Sequence, residues 1–232
     1  LMIVYHFFYD LNYFDYLELN VTSGFWFLFA RSIAFTFILL AGISLTLSYS
    51  RAKKKGSVAL EKYLKRGVRI FSWGLVITLL TWVFLRKGFV IFGVLHFIGV
   101  SIIIAYPFIR YRYLNLLLGI IIIFIGIFIN KITVDFYYLL WLGFIPNNLC
   151  MFDYFPILPW FGAILIGIFL GNSLYPDYRR RFNLPEPFLN SIKFFCYLGR
   201  RSLFIYLIHQ PILVLFLFAY NNIMNIFYNI FY

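Results

Sequence analysis

The sequence predicts an all-α protein, a multi-pass bundle of transmembrane helices. Of its 232 residues, 63% are hydrophobic and 12% are charged, whereas a soluble domain has roughly 45–50% apolar and 25% charged residues. A bilayer core of about 30 Å needs about 20 apolar residues per helix. The chain therefore has room for about seven spans and no separate soluble domain, and we interpret residues 1–232 as one transmembrane domain.

Apolar runs mark the expected spans in order. The first run, Leu1–Tyr9, is only about half as long as a span needs to be, so we expect the outer half of a helix whose beginning is missing. A polar loop, Asp10–Gly24, follows it. The other spans are expected at about Phe25–Tyr49, Val68–Leu85, Phe89–Ile109, Tyr113–Asn130, Leu158–Tyr175 and Leu203–Tyr220. The apolar patch Tyr137–Ile145 is too short to cross and is expected at the membrane interface.

The positive charges predict the orientation of these spans. On the seven-span map, sixteen of the twenty Lys and Arg residues fall on one side, many of them in the connections Ser50–Arg69 and Pro176–Pro187. The positive-inside rule makes that side cytoplasmic. The first helix then runs outward, and the C-terminus lies outside the cell membrane. The net charge of +12 is accordingly explained by the membrane surface and not by a nucleic-acid partner.

The two cysteines give no sign of a metal or redox site. Cys150 and Cys196 fall on opposite sides of the predicted membrane, which excludes a disulfide between them, and neither has a metal-ligand spacing. We predict no metal site.

All three histidines lie inside apolar segments, where ionisable groups are costly and often mark a functional path. His6 is near the outer end of the first helix, His96 is in the fourth, and His209 is near mid-depth in the seventh. They form a candidate site if they converge on one cavity. The structural alternative is that each is a neutral imidazole satisfied by a neighbouring helix.

Asp10 lies four residues after His6, on the same helical face. A carboxylate in that position can orient an imidazole that acts as a general base. The alternatives are that Asp10 is a solvated helix-end residue or the partner of Arg31, a charge within the second span.

The seventh span carries a polar stripe. Ser202, Tyr206 and His209 share a helical face, Gln210 is next to them, and the stripe ends at Pro211. A hydrogen-bonded seam between helices would also explain this stripe. In the sixth span, small residues at steps of four predict close approach of a neighbouring helix; they are Ala163, Gly167 and Gly171.

Basic residues at the inner helix ends are candidates for binding phosphates. The candidates are Lys65, Arg66, Arg69, Arg200 and Arg201. Positive-inside anchoring is the alternative explanation for most of them.

Four segments together resemble a known family. They are MIVYHFFYDL (2–11), FGVLHFIGVS (92–101), PILPWFGAILIGIFLG (156–171) and LGRRSLFIYLIHQPIL (198–213). Over nearly the whole chain, the pattern resembles the prokaryotic relatives of the heparan-alpha-glucosaminide N-acetyltransferase catalytic domain, a family of membrane acyltransferases. The first segment also resembles the start of the integral-membrane O-acyltransferases that modify surface polysaccharides, in which an arginine precedes a histidine.

The match to these families is incomplete at two positions. His6 matches the histidine of the O-acyltransferases, but their arginine would fall before Leu1. In the animal glucosaminide enzymes the proposed catalytic histidine lies in the loop after the first helix, and Leu11–Gly24 contains no histidine. The resemblance therefore supports His6 through the O-acyltransferase comparison alone.

The resemblance implies transfer of an acyl group, in the first place acetyl, from cytoplasmic acyl-CoA to a hydroxyl or amine. The acceptor would be a sugar or another extracytoplasmic or lipid-linked molecule. Acyl-CoA would be a co-substrate, with its phosphates at the inner basic residues, and no cofactor would be permanently bound. His6, oriented by Asp10, would remove the acceptor's proton.

Further side chains would stabilise the charge that develops in this reaction. His96, His209 or Tyr206 would hydrogen-bond the oxyanion or the thiolate, and Arg31 would stabilise charge nearby. The expected partners are the lipid bilayer, acyl-CoA, a glycan or small-molecule acceptor, and a second copy of the chain in a homo-oligomer.

Two other classes of function remain open at this point. A proton-coupled transporter or flippase could use buried histidines as a proton relay, and would be expected to contain inverted repeats with broken helices at matching positions. The other alternative to an acyltransferase is a non-catalytic membrane subunit.

Overall fold

The computed structural model of the chain describes residues 1–231 apart from 22, 57–58, 86–87, 148, 150, 152, 177–178, 180 and 182–191; side chains are described for the same residues except 85 and 223–231. The predicted loop residues Arg86 and Lys87, Arg180, and Cys150 lie outside the described residues. What is described is an all-α fold, which confirms the predicted class.

Eight α-helices occur in the described part of the chain. They are α1 Met2–Tyr13, α2 Gly24–Lys54, α3 Leu60–Leu85, α4 Val94–Ala105, α5 Tyr113–Ile129, α6 Ile157–Leu174, α7 Lys193–Arg200 and α8 Ser202–Phe231. A 3₁₀ turn, Tyr106–Phe108, continues α4. Between α5 and α6, β1 (Thr133–Val134) pairs in parallel with β2 (Ile145–Pro146).

Helices α2, α3, α6 and α8 contain segments long and apolar enough to cross a bilayer. The segment of α4 with its 3₁₀ turn, Val94–Phe108, and α5 are apolar but shorter. Several apolar helices of this length and composition indicate a membrane protein. Helices α1, α4 and α5 are too short to be identified as spans by length alone, so the count of seven crossings remains a prediction.

The predicted basic connection Ser50–Arg69 is mostly helical, which corrects the expected end of the second span and start of the third. Helix α2 continues to Lys54 and α3 already begins at Leu60. Lys and Arg are good helix formers, and cations at a helix C-terminus interact favourably with its dipole. Gly56 has a φ of +70°, a left-handed conformation that glycine adopts without strain after a helix end.

The fourth helix is shorter than predicted. It begins at Val94 instead of Phe89, because Gly93 is its extended N-cap, with a φ of −91° and a ψ of −173°. Its regular turns end at Ala105, and the following 3₁₀ turn contains Pro107. In the other direction, the seventh span extends past the expected Tyr220, since α8 continues to Phe231.

The chain forms two compact units, residues 35–182 and residues 1–34 with 183–232. The boundary falls within α2. The interpretation of the whole chain as a single domain remains a prediction.

In the larger unit, glycines allow helix backbones to touch. A Cβ built on Gly167 of α6 would lie 2.2 Å from the Leu39 carbonyl oxygen of α2, and one built on Gly171 would lie 2.8 Å from the Thr46 side chain. The predicted close approach along the small-residue face of α6 is therefore confirmed. The residue numbers of the contacting pairs increase together along both helices, so α2 and α6 are parallel.

Two further helix pairs of the larger unit are antiparallel. Gly119 of α5 faces Gly162 of α6, and Gly126 faces Pro159. Likewise, Gly67 of α3 faces Gly99 of α4, while Gly74, further along α3, faces His96. These directions are the ones that alternating membrane crossings require.

In the smaller unit, aromatic contacts align α1 with α8. Phe14, which follows α1, packs on Phe218 with ring centroids 5.5 Å apart, and Tyr16 packs on Tyr220 at 6.1 Å. The two chain segments run in the same direction. This parallel pairing agrees with the predicted outward course of both the first and the seventh helix.

Candidate active site

Two of the three histidines lie side by side in the smaller unit. The ring centroids of His6 in α1 and His209 in α8 are 5.0 Å apart, with the ring planes inclined by 58°. His209 is 7% exposed, and His6 is partly buried. The sequence placed these rings at different depths, near the outer end and near mid-depth. Because the two rings are in contact, they lie at the same height along α1 and α8.

The hydrogen bond of His209 defines which ring nitrogen carries the proton. Its Nδ1 lies 2.6 Å from the carbonyl oxygen of Tyr206, and a carbonyl can only accept, so Nδ1 donates. In the neutral ring, the lone pair is then on Nε2. A general base is oriented in this way when a fixed acceptor holds its other nitrogen.

Asp10 is held by α8. The side-chain amide of Gln210 donates a hydrogen bond of 2.7 Å to Oδ1 of Asp10, and Asp10 is only 3% exposed. Asp10 lies within α1, as the predicted helical face shared with His6 requires, and the polar loop begins later than the predicted Asp10. The helix continues through it because its carboxyl has a partner on the neighbouring helix.

This cluster contains three buried atoms that can accept hydrogen bonds and have no partner among the described residues. They are Nε2 of His209, Oδ2 of Asp10 and Oε1 of Gln210. Buried polar atoms are usually hydrogen-bonded, and those that are not require an explanation. A ligand that carries O–H or N–H groups would satisfy them.

The expected hydrogen bond between Asp10 and His6 does not occur in the described structure. Although the two residues are one helical turn apart, the carboxyl of Asp10 bonds to Gln210 instead. The role of Asp10 as the orienting group of His6 therefore remains a prediction without geometric support. The imidazole with a fixed orientation is His209.

Arg31 and Tyr206 lie in the same unit as the histidine pair. The guanidinium of Arg31 lies 5.2 Å from the centre of the Phe27 ring, within α2, and it interacts electrostatically with the Tyr5 hydroxyl of α1. The ring of Tyr206 lies 5.7 Å from that of His209. Tyr206 thus contributes both its carbonyl and its ring to the surroundings of His209.

His96 lies in the larger unit and has a different environment. Its Nδ1 accepts a hydrogen bond of 3.2 Å from the backbone N–H of Gly93, which closes a capping box at the start of α4. Its Nε2 is then the protonated nitrogen and lies 3.3 Å from the hydroxyl of Thr78. Both nitrogens are used locally, and the ring is 2% exposed. His96 therefore fits the structural alternative, in which a neutral imidazole is satisfied by its neighbours.

The predicted phosphate-binding residues are exposed at helix ends. Lys65, Arg66 and Arg69 lie in the first turns of α3, and Lys65 forms an ion pair of 2.5 Å with Glu61. Arg200 and Arg201 lie at the end of α7 and just after it, with the Arg201 guanidinium 5.0 Å from the centre of the Tyr197 ring. The two groups belong to different units.

An open cavity with both polar and apolar walls lies beyond the C-terminal end of α1. It has a volume of about 460 Å³ and is lined by Asn12, Glu18, Leu19, Asn20 and Val21. Asn12 shapes its wall, because its side-chain oxygen accepts a hydrogen bond of 2.7 Å from the backbone N–H of Leu19. None of these side chains is among the predicted site residues, although Glu18 and Asn20 belong to the polar loop that the sequence predicts.

Gln210 has no predicted role, because the sequence marks it only as a neighbour of the polar stripe of the seventh span. Its position next to His209, on an otherwise apolar helix, was the available signal.

The long apolar helices are those of an integral membrane protein, and the smaller unit contains a buried polar cluster between α1 and α8. The family model described as "Heparan-alpha-glucosaminide N-acetyltransferase, catalytic" matches residues 1–211. The chain belongs to this family, which confirms the resemblance derived from its sequence motifs. Membership implies a membrane acetyltransferase-type activity. No curated protein and no solved structure matches the chain.

Proposed function

We propose that this protein transfers an acyl group, in the first place acetyl, from acyl-CoA on the cytoplasmic side of the cell membrane. The acceptor would be a hydroxyl or amine of a sugar or another extracytoplasmic or lipid-linked molecule. The proposal is carried by the three buried acceptor atoms of His209, Asp10 and Gln210, which fit a substrate that brings O–H or N–H donors. Family membership supports the same type of chemistry.

The proposed reaction is a direct acyl transfer. The acceptor's oxygen or nitrogen attacks the thioester carbonyl, a new C–O or C–N bond forms, and the C–S bond breaks. The acceptor's proton passes to an imidazole and then to the departing CoA thiolate. Such proton transfer typically accelerates a reaction by a factor of about 10²–10⁴.

Within the histidine pair we assign the proton acceptor to Nε2 of His209, because the Tyr206 carbonyl fixes its tautomer. His6, the proton acceptor that the sequence predicts, lies in ring contact with His209. An imidazole there can hydrogen-bond the acceptor or the developing oxyanion. Tyr206 and Arg31 are proposed to stabilise negative charge in the same unit.

Two further groups of residues would serve the two substrates. The basic residues Lys65, Arg66, Arg69, Arg200 and Arg201 are proposed to attract the phosphates of the donor. In the smaller unit, the cavity with Asn12, Glu18 and Asn20 offers carboxylate and amide groups. These suit the hydroxyl and amino groups of a glycan acceptor.

The test is release of the CoA thiol by the purified full chain. Acetyl-CoA is supplied with a panel of amino sugars, hexoses and lipid-linked sugars, and thiol formation is followed with a chromogenic reagent. Thiol release that depends on an acceptor, with acetylated product found by mass spectrometry, is the expected result. If no acceptor promotes release while proteoliposomes show proton flux, the transporter alternative replaces the proposal.

A further inference from the structure

A second polar cavity lies at the inner ends of α2 and α3, within the larger unit. It has a volume of about 430 Å³, and Ser44, Ser48, Arg51, Lys55 and Lys62 contribute its polar walls. None of these residues belongs to the histidine cluster or to the predicted phosphate-binding set. We infer that this cavity binds a phosphate group carried on an organic molecule, and we name it the α2–α3 pocket.

The local fold builds this pocket from two consecutive helices. Ser44, Ser48, Arg51 and Lys55 follow one another at steps of three and four residues, which places them on one face of α2 and its C-terminal turn. The chain leaves the helix at Gly56, whose φ is +70°. Lys62 then returns to the same cavity from the first turn of α3.

The charges in the pocket are uncompensated by the protein. In the part of the chain that the structure describes, Arg51, Lys55 and Lys62 form no ion pair, and nearby Glu61 is bonded to Lys65. Three cations around one cavity repel one another. A phosphate, with its negative charge and several acceptor oxygens, offsets that repulsion and forms charge-assisted hydrogen bonds.

A buried tyrosine hydroxyl lies behind the wall of the pocket, next to Ser48. Tyr63, next to Lys62, is 1% exposed, and its hydroxyl has no hydrogen-bond partner of ordinary geometry among the described residues. That hydroxyl lies beside the side chain of Ser48, which lines the pocket. Cations and hydroxyls supply donors, which suits a fully ionised phosphate because its oxygens accept.

Two sources can supply this ligand chemistry at the inner membrane surface. One is the nucleotide part of a CoA thioester, in which case the pocket holds the donor and rests on the proposed function. The other is the headgroup of an anionic phospholipid of the inner leaflet. The pocket itself does not depend on acyl transfer.

Thermal unfolding of the purified full chain in detergent tests the inference. The probes are CoA, dephospho-CoA, phosphatidic acid and inorganic phosphate, each titrated against wild type and two double variants. Arg51→Gln with Lys62→Gln removes two cations of the pocket. Lys53→Gln with Lys54→Gln makes the same change in charge at exposed positions that do not line it.

We expect CoA or phosphatidic acid to raise the melting temperature of wild type and of the Lys53/Lys54 variant in a concentration-dependent manner. The apparent Kd should weaken about tenfold or more in the Arg51/Lys62 variant, since charged hydrogen bonds are lost. Stabilisation by CoA identifies the nucleotide, and stabilisation by phosphatidic acid identifies the headgroup. No stabilisation by any probe, or equal weakening in both double variants, would overturn the inference.

The result is separable from that of the proposed function. The variant His209→Asn should retain ligand-dependent stabilisation while losing acyl transfer, because it leaves the pocket intact. An inactive wild type that still binds CoA through Arg51 and Lys62 would therefore refute the proposed function alone.

Discussion

The side-chain amide of Gln210 donates a hydrogen bond of 2.7 Å to the carboxyl of Asp10, although 200 residues separate them in the sequence. The bond joins α8 to α1 at the level where His6 and His209 touch. It therefore fixes the relative position of the two helices that carry the proposed catalytic imidazoles. A change in this bond should affect both stability and geometry at the site.

Replacing Gln210 by Leu should destabilise the protein by about 1–3 kcal/mol, because the buried carboxyl of Asp10 would lose its donor. The double variant Asp10→Leu, Gln210→Leu should recover part of this loss, since neither helix then buries an unpaired polar group. Thermal unfolding of the two single variants and the double variant gives the coupling free energy. Strictly additive effects would mean that the bond contributes nothing to stability.

His209→Asn isolates the proposed base. The amide of Asn can still donate to the Tyr206 carbonyl, as Nδ1 does, but the variant lacks an atom equivalent to Nε2. The rate of acceptor-dependent CoA release should fall by a factor of about 10²–10⁴, with little change in the melting temperature. Full turnover in this variant would remove His209 from the proton transfer and return the role to His6.

His6→Gln separates the two imidazoles. If His209 is the base, this variant should lose less activity than His209→Asn, and the remaining rate should keep the same dependence on pH. The measurement is kcat as a function of pH for both variants at saturating acetyl-CoA. A His6 variant with the greater loss, and a changed pH profile, would reverse the assignment.

His96 should prove to be a stabilising residue of α4. Leu at this position removes the capping bond to Gly93 and should cost about 1–2 kcal/mol, whereas Gln at the third helical position can restore a capping box. The melting temperature should therefore decrease in the order wild type, His96→Gln, His96→Leu. Equal losses in the two variants would show that the cap is unimportant.

Replacing Gly167 by Ala, which adds one methyl group, should destabilise the protein. Alanine there would place its Cβ 2.2 Å from the Leu39 carbonyl oxygen, and forced repacking of this kind typically costs about 1–3 kcal/mol. Gly199→Ala is the matched control, because nothing lies within 4 Å of a Cβ at that position. A lower melting temperature for the first variant alone is expected; unchanged stability would disprove the tight α2–α6 contact.

The apolar runs of the sequence identify most helices because length and hydropathy are local properties. Helix α5 begins at the predicted Tyr113 and ends at Ile129, one residue before the predicted Asn130. The apolar run alone does not place Asp10 inside the first helix, although its spacing of four residues from His6 fits one helical face. A carboxyl after an apolar run indicates a loop unless a partner satisfies it, and that partner, Gln210, belongs to a distant helix.

The histidines illustrate a second limit. His96 and His209 are both imidazoles in apolar helices, so composition gives them equal standing as candidates. Their different environments depend on where each helix begins, and the sequence placed the start of the fourth helix at Phe89 instead of Val94. With Gly93 as the N-cap, His96 falls at the third helical position, where its Nδ1 accepts a hydrogen bond from the Gly93 N–H.

The predicted orientation of the membrane helices can be tested with Cys196, which is exposed on α7. In a Cys150→Ser background, a membrane-impermeant maleimide should label Cys196 only after intact cells are permeabilised, because α7 is predicted on the positively charged, cytoplasmic side. A matched variant carries Cys at Leu17, exposed in the loop after α1, in a chain without other cysteines. It should be labelled in intact cells. Labelling of Cys196 from outside would reverse the map and place the α2–α3 pocket away from cytoplasmic CoA.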